Sequence, residues 1–154
     1  MVEWKNAPEE IEESMIGFVY IIVNKTSGKW YIGQKKFWST KRLPPLKGKV
    51  RKRKVTKESD WRKYTGSSKN LNFDIKSGDE IEKTILYIGE SKWELNYVET
   101  SFQFSQHALI LDSSYNGILN LRISSPPHKL DFKTFHVKVL EAHDMLDDIL
   151  KEFK

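Results

Sequence analysis

The chain has 154 residues, 38% of them hydrophobic and 12% aromatic, which suffices for one ordinary domain with a real core. Its 26 Lys and Arg against 21 Asp and Glu give a formal charge of +5, and the lack of any cysteine excludes disulfides, thiolate metal sites and cysteine nucleophiles. No apolar run approaches the roughly 20 residues of a membrane span, and the opening MVEWKNAPEEIEES has no apolar segment of the kind a leader needs, so a cytoplasmic protein with no membrane partner is expected.

Residues 1–16 read as an acidic arm or short acidic helix, with Pro8 ahead of Glu9, Glu10, Glu12 and Glu13 in a first turn. Phe18 to Val23 is aromatic and β-branched, as is Trp30 to Ile32, and Asn24 to Lys29 between them is turn chemistry with Gly28 free to take a positive φ. That pattern predicts a β-hairpin. Each strand carries one tyrosine, Tyr20 and Tyr31, and Gly33 follows the second. The pair is either two ordinary sheet aromatics or a rigid platform for acid/base chemistry and phosphate contacts.

The chain then turns basic. Lys35, Lys36, Lys41, Arg42, Arg51, Arg53, Arg62 and Lys63 belong to a run from 35 to 63 whose only acids are Glu58 and Asp60. Pro44 and Pro45 break any helix there, and the segment 41–63 shows no apolar period, so a mobile basic loop is expected. Phe37, Trp38 and Trp61 flank it. Cations interleaved with aromatics suit phosphate backbones and exposed bases. Because the two ends of the chain are acidic, this middle carries more positive charge than the net value suggests, which points to a polyanionic partner.

Ser67 or Ser68 can cap a helix through Lys69 to Lys76 that closes at Gly78. Ile81 to Gly89 reads as a strand. Ser91 with Glu94 has capping-box spacing at the start of a long helical pattern that contains Glu99. Asp112 to Gly117 reads as a turn and Ile118 to Ile123 as a short strand. From Asp131 on, Phe135, Val139, Ala142, Leu146, Ile149 and Phe153 follow a helical period. This last helix either closes the core or serves a partner, including a homodimer. Phosphate-cradling glycine loops, HExxH zinc pairs and nucleophile elbows do not occur in the sequence.

The stretch GFVYIIVNKTSGKWYIG resembles the GIY-YIG nuclease superfamily. Val19-Tyr20 stands where that family has its first Ile-Tyr, with the glycine displaced, and Tyr31-Ile32-Gly33 is an intact second half ten residues on. Arg42, Tyr64, Glu99 in ELNYVET and the pair Tyr115-Asn116 follow in the family's order, and WRKYTGSSKNL is similar to phage-encoded Seg-type members. The resemblance covers roughly residues 17 to 122. It implies an α/β fold with a small central antiparallel three-stranded sheet flanked by helices. The expected division is an arm (1–16), a nuclease domain (17–125) and a C-terminal helical extension (126–154).

The resemblance further implies hydrolysis of phosphodiester bonds in double-stranded DNA, in the host cytoplasm for a phage-encoded chain. Glu99 would bind one Mg²⁺ or Mn²⁺, and Tyr20 or Tyr31 would take the proton from the attacking water. Arg42, with Arg62 or Lys35 as substitutes, would neutralise charge on the phosphate. Tyr64 would hold a phosphate or water, and Asn116 would support Glu99 or the backbone turn. Lys35, Lys36, Arg51, Arg53, Arg62 and Lys63 are the candidate DNA contacts. Nearby cations are expected to lower the tyrosine pKa. The alternative is a catalytically inactive nucleic-acid-binding module of the same fold.

Overall fold

Residues 1–119, 122–127 and 129–153 are described by the structure, a computed structural model. In chain order the elements are β1 (Trp4–Lys5), β2 (Gly17–Asn24), β3 (Trp30–Lys36), β4 (Trp38–Leu43), β5 (Arg53–Glu58), α1 (Lys69–Lys76), β6 (Ile81–Gly89), α2 (Lys92–Ser105) and α3 (Phe132–Glu152). One sheet runs β1-β6-β2-β3, and β4 with β5 forms a separate two-stranded ribbon. β2 pairs antiparallel with both β3 and β6, while β1 adds to β6 in parallel.

The expected three-stranded sheet therefore gains a fourth strand. Trp4 is buried, and its indole N–H donates to the Trp61 carbonyl at 2.8 Å. Burying that ring draws the N-terminal segment onto the sheet edge, and no helix forms within residues 1–16. Nor is the sheet evenly flanked by helices. On one face α2 and α3 pack over Val19, Ile21, Val23, Trp30 and Ile32. The other face, with Phe18, Tyr20, Ile22 and Ile85, is closed by Trp4, Phe37, Trp61 and Leu71 of the short α1.

β2 is buried along its whole length because it lies between two strands and under both layers. Its side chains alternate between the two faces, so a one-residue slip would exchange them. The register holds except at one point: Val19 faces Tyr87 and Tyr20 faces Ile85, which leaves Leu86 as a bulge that sends both Leu86 and Tyr87 to the helical face. The β2–β3 turn forms as expected. Asn24 Oδ1 accepts from the backbone N–H groups of Thr26 and Ser27, and Gly28 takes φ +78°.

Gly17, the displaced glycine of the first motif, pairs with Gly89 across the sheet. A Cβ at Gly17 would lie 2.8 Å from Leu95, and one at Gly89 would lie 2.9 Å from it. The two glycines make the seat for Leu95 and let α2 settle onto the strands. Ser91 caps α2, and the Glu94 carboxylate accepts from Glu90 N–H, Ser91 Oγ and the Tyr87 hydroxyl, the last at 2.7 Å. α3 is capped by Asp131 and contributes Phe135, Val139, Ala142, Leu146 and Leu150 to the same core.

The basic segment is not a loop. Trp38–Leu43 and Arg53–Glu58 pair over six positions, and Arg42, expected in the loop, sits on β4 opposite Lys54. Of the strand expected over 118–123, Asn120 and Leu121 lie outside the described residues, and the flanking Ile118, Leu119, Arg122 and Ile123 are irregular.

Candidate active site at the outer edge of the sheet

The site grows from β3, the edge strand that carries Tyr31, Gly33, Gln34 and Lys35. In the β2–β3 register Tyr20 lies opposite Gly33. A Cβ at Gly33 would stand 2.5 Å from the Tyr20 hydroxyl and 3.0 Å from the Tyr31 ring, so glycine is what lets the Tyr20 ring lie across the neighbouring strand. Gly66, at φ +83°, closes over the same two rings from the turn before α1. The Tyr20 and Tyr31 centroids are 6.2 Å apart, and Tyr64 meets Tyr20 edge-on at 6.1 Å.

The two phenols sit in different settings. Tyr20 is only 1% exposed, whereas Tyr31 is partly exposed and its hydroxyl lies 2.8 Å from Ser67 Oγ. Burial pushes the Tyr20 phenol well above its ordinary value, and the charges of Tyr31, Tyr64 and Glu99 add to the rise. Burial also raises Tyr31, but its hydrogen bond to Ser67 works against the shift. The cations expected to lower these values act elsewhere. The Lys35 ammonium pairs with Asp60 at 2.8 Å and lies 4.2 Å over the Tyr64 ring, while among the described residues Arg42 makes no ion pair and no ring contact.

Glu99 arrives from α2. Lys92, Asn96, Glu99 and Gln103 fall at helical spacing, a polar stripe beside the apolar stripe of Leu95, Val98 and Phe102. The polar stripe meets the β3 edge: Gln34 Nε2 donates to Asn96 Oδ1 at 2.9 Å, and Lys92 Nζ donates to Gln34 Oε1 at 2.9 Å. Burial raises the Glu99 carboxyl above its usual value, against the pull of Gln34, Lys92 and Gln103. Its charge bears on both Tyr20 and Tyr31, so these three groups share one electrostatic environment.

Asn116 is fixed at the far side of the same edge. Its Oδ1 accepts from Ile32 N–H at 3.0 Å and its Nδ2 donates to Ile32 C=O at 2.7 Å. Gln103 Nε2 donates to that carbonyl as well, at 3.1 Å, and approaches Glu99 Oε1 at 3.5 Å. Asn116 thus holds the strand that carries Tyr31. The partner Tyr115 donates its hydroxyl proton to Asp74 at 2.6 Å and accepts from Asn24 Nδ2 at 3.0 Å, which ties the 113–116 segment to the hairpin turn and α1.

A cleft of about 940 Å³ opens beside this edge, with Gln34, Lys35, Lys36, Lys92, Trp38 and Thr56 in its wall. Burial lowers the Lys92 pKa, and the Lys36 charge lowers it further against the opposing pull of Glu99. Two adjoining cations beside a carboxylate suit a phosphodiester. Arg62 stacks on Trp61 at 4.3 Å and pairs with Glu58 at 3.3 Å, and Lys63 is exposed on the same turn. Arg42, Arg51 and Arg53 belong to the ribbon and its tip, away from the tyrosines.

Gln34, Ser67, Lys92 and Gln103 escaped the sequence reading. The signal for Lys92 and Gln103 was there in their helical spacing to Glu99; Gln34 and Ser67 join the site only through tertiary contacts. Lys83, also missed, is buried, and it donates to the carbonyls of Arg62 and Tyr64 at 3.2 and 3.1 Å, fixing the turn that presents Tyr64.

A family profile described as "Putative endonuclease segE, GIY-YIG domain" matches residues 1–119. Neither curated proteins nor solved structures gave a match.

Proposed function

The chain belongs to the GIY-YIG endonuclease-domain family, and on that premise we propose that it is a divalent-metal-dependent endonuclease that hydrolyses DNA at the outer edge of β3. The observation that supports the reading is a convergence on β3: Tyr20 and Tyr31 lie 6.2 Å apart around Gly33, and α2, which carries Glu99, bonds to the same strand through Asn96 and Gln103, beside a cleft walled by Lys35, Lys36 and Lys92. The two phenols come from β2 and β3 and the carboxylate from α2.

The residues fit a single hard cation. Among the described residues no cluster of three or more acidic or histidine side chains occurs, so Glu99 would hold one Mg²⁺ or Mn²⁺ alone. Mg²⁺ accepts one or two carboxylates and fills its shell with water and phosphate oxygens. Gln103 turns its amide nitrogen toward Glu99 at 3.5 Å, and its buried amide oxygen has no hydrogen-bond partner among the described residues. A bound ion supplies Lewis-acid polarisation of the scissile phosphate and stabilises the leaving oxygen.

The chain's own groups do the rest. Lys36 and Lys92 hold the phosphate backbone at the cleft, and Lys35 steadies Tyr64 against it. Tyr31, more open than Tyr20, orients the attacking water and, once its own phenolic proton has passed to solvent, accepts the water's proton as a phenolate. Tyr20 stays a phenol at neutral pH and fixes the Tyr31 ring from below. Asn116 and Gln103 keep the Ile32 peptide, and with it Tyr31 and Gly33, in place. Arg42 reaches the phosphate only through DNA that spans from the cleft to the ribbon. A homodimer through α3 would use its outward side, where Phe132, Val137 and Leu140 are exposed.

The second reading, a DNA-binding module without catalysis, is the one the upward shifts of both phenols favour. A plasmid-nicking assay with Mg²⁺ and Mn²⁺ decides between them. Wild type nicks, whereas Tyr31→Phe and Glu99→Ala melt normally and lose at least a hundredfold in rate. Wild type that binds DNA in a salt-sensitive way and never nicks selects the module.

A further inference from the structure

The β4–β5 ribbon has no use inside the protein. Every residue from Pro44 to Glu58 is exposed. An isolated two-stranded hairpin is marginal in water, and this one also sets Arg42 opposite Lys54. Like charges directly across a ladder destabilise it. From 41 to 57 the sequence holds nine lysines and arginines and no acid. Among the described residues none of these nine forms an ion pair.

The ribbon is nevertheless firmly rooted. Phe37 and Trp61, at its two ends, are fully buried against each other. The Trp38 indole N–H donates to the Met15 carbonyl at 2.9 Å, and Ser59 Oγ donates to the Lys36 carbonyl at 2.7 Å. A mobile tail needs no such footing. Its direction is fixed as well. Thr40 and Thr56 pair across the ribbon and both line the cleft, whose wall sets Lys35, Lys36 and Lys92 against the single acid Glu13. Side chains alternate along a strand, so Arg42 and Lys54, two positions on, continue that face outward. The cleft and this face form one cationic track.

We infer that the ribbon is an arm that lies in the major groove of duplex DNA while the strand to be cut enters the cleft. The major groove admits a two-stranded β-ribbon. Six paired positions span about 20 Å at ~3.3 Å per residue, enough to cross a groove about 12 Å wide. The polyanion supplies the counter-charge that the ribbon lacks in the free protein. This inference rests on the nuclease reading for the position of the cut, but not for the binding.

The test measures binding alone, by fluorescence anisotropy with a 30-bp duplex and a single strand of equal length, in EDTA, in a Glu99→Gln background. Residues 44–52 are replaced by Asn-Gly, a two-residue turn that fits the closing pair Leu43–Arg53. A second variant keeps the length and changes Lys47, Lys49, Arg51 and Lys52 to Gln. Both remove four cations from exposed positions, and unchanged melting confirms that the core is intact. Duplex affinity at 100 mM KCl is expected to fall at least tenfold, and the slope of log K against log salt to shrink by roughly 3 to 4. Single-strand affinity changes far less. Unchanged duplex affinity and slope in both variants overturn the inference, and an equal loss on single strands overturns the groove placement. Methyl green, a major-groove ligand, competes with the arm, and netropsin in the minor groove does not; the reverse pattern also overturns it. A protein that never cuts DNA but loses duplex binding with the tip retains the arm and forfeits the nuclease reading. One that cuts but ignores the tip does the opposite.

Discussion

Gly33→Ala is the sharpest perturbation the site offers, because its cost is purely steric. Gly33 does not occupy the positive-φ region, so alanine brings no backbone penalty there. The new Cβ would lie 2.5 Å from the Tyr20 hydroxyl oxygen, 2.8 Å from its Cζ and 3.0 Å from Tyr31 Cε1. Non-bonded carbon contacts prefer ~3.5–4.0 Å, so the Tyr20 ring must retreat by about 1 Å. It has nowhere to go: Trp4 stands 5.0 Å from it, centroid to centroid, Phe18 5.8 Å and Tyr64 6.1 Å. Overpacking of this kind costs about 1–3 kcal/mol, or roughly 3–10 °C in melting temperature for a domain of this size. A displacement near 1 Å at a reacting group costs on the order of a hundredfold in rate. Thermal melting and plasmid nicking in Mg²⁺, run beside Gly117→Ala as a control with open space around it, give both numbers. Wild-type melting and rate in Gly33→Ala would refute the wedged-tyrosine geometry. Lost stability with an unchanged rate would show that the tyrosine pair takes no part in the reaction.

Asn116→Ala leaves the buried Ile32 N–H without a partner and is expected to cost about 2–3 kcal/mol in urea denaturation; Asn116→Asp, which keeps the acceptor, falls between it and wild type, and equal stabilities for all three would contradict the clamp. Tyr87→Phe removes the 2.7 Å bond to the buried Glu94 carboxylate and should cost about 1.5–3 kcal/mol with no change in nicking rate, since Tyr87 holds the α2 cap and not substrate. Lys83 carries a signature in pH. Burial lowers its amine to about 8, below the ordinary 10.5, so between those values the unfolded chain binds more protons and stability rises with pH. Wild type should therefore gain about 2 kcal/mol on Lys83→Met between pH 8 and 10, and a constant difference across that window would refute the buried ammonium.

Much of this was local enough to be legible. The hairpin turn needs an Asx residue and a glycine within six positions, and both are present. The Ser91–Glu94 box, the Ser68 cap and the Asp131 helix follow from short-range chemistry. The 41–63 segment misled because two prolines and a dense charge run carry the signature of a loop, while the ribbon is held by burial of Phe37 and Trp61 at its roots. β1 was missed because two residues have no period; Trp4 makes that strand by finding the sheet. The Leu86 bulge and the Gly17–Gly89 seat for Leu95 involve positions some 70 residues apart in sequence, and no local rule reaches them.

What the sequence determined by itself is the hairpin with its two tyrosines, the glycine between them, and the order of Tyr64, Glu99 and Asn116 that joins the chain to its family. Those are matters of residue type and spacing. Only the tertiary structure decided which charges act together. It turned Lys35 to Asp60, set Lys92 and Gln103 around Glu99, gave Asn116 to the Ile32 peptide, and carried Arg42 out along the ribbon. Electrostatic and hydrogen-bond partners lie a few ångströms apart in space whatever their separation in sequence, and the packing of α2 against the β3 edge is what sets those distances.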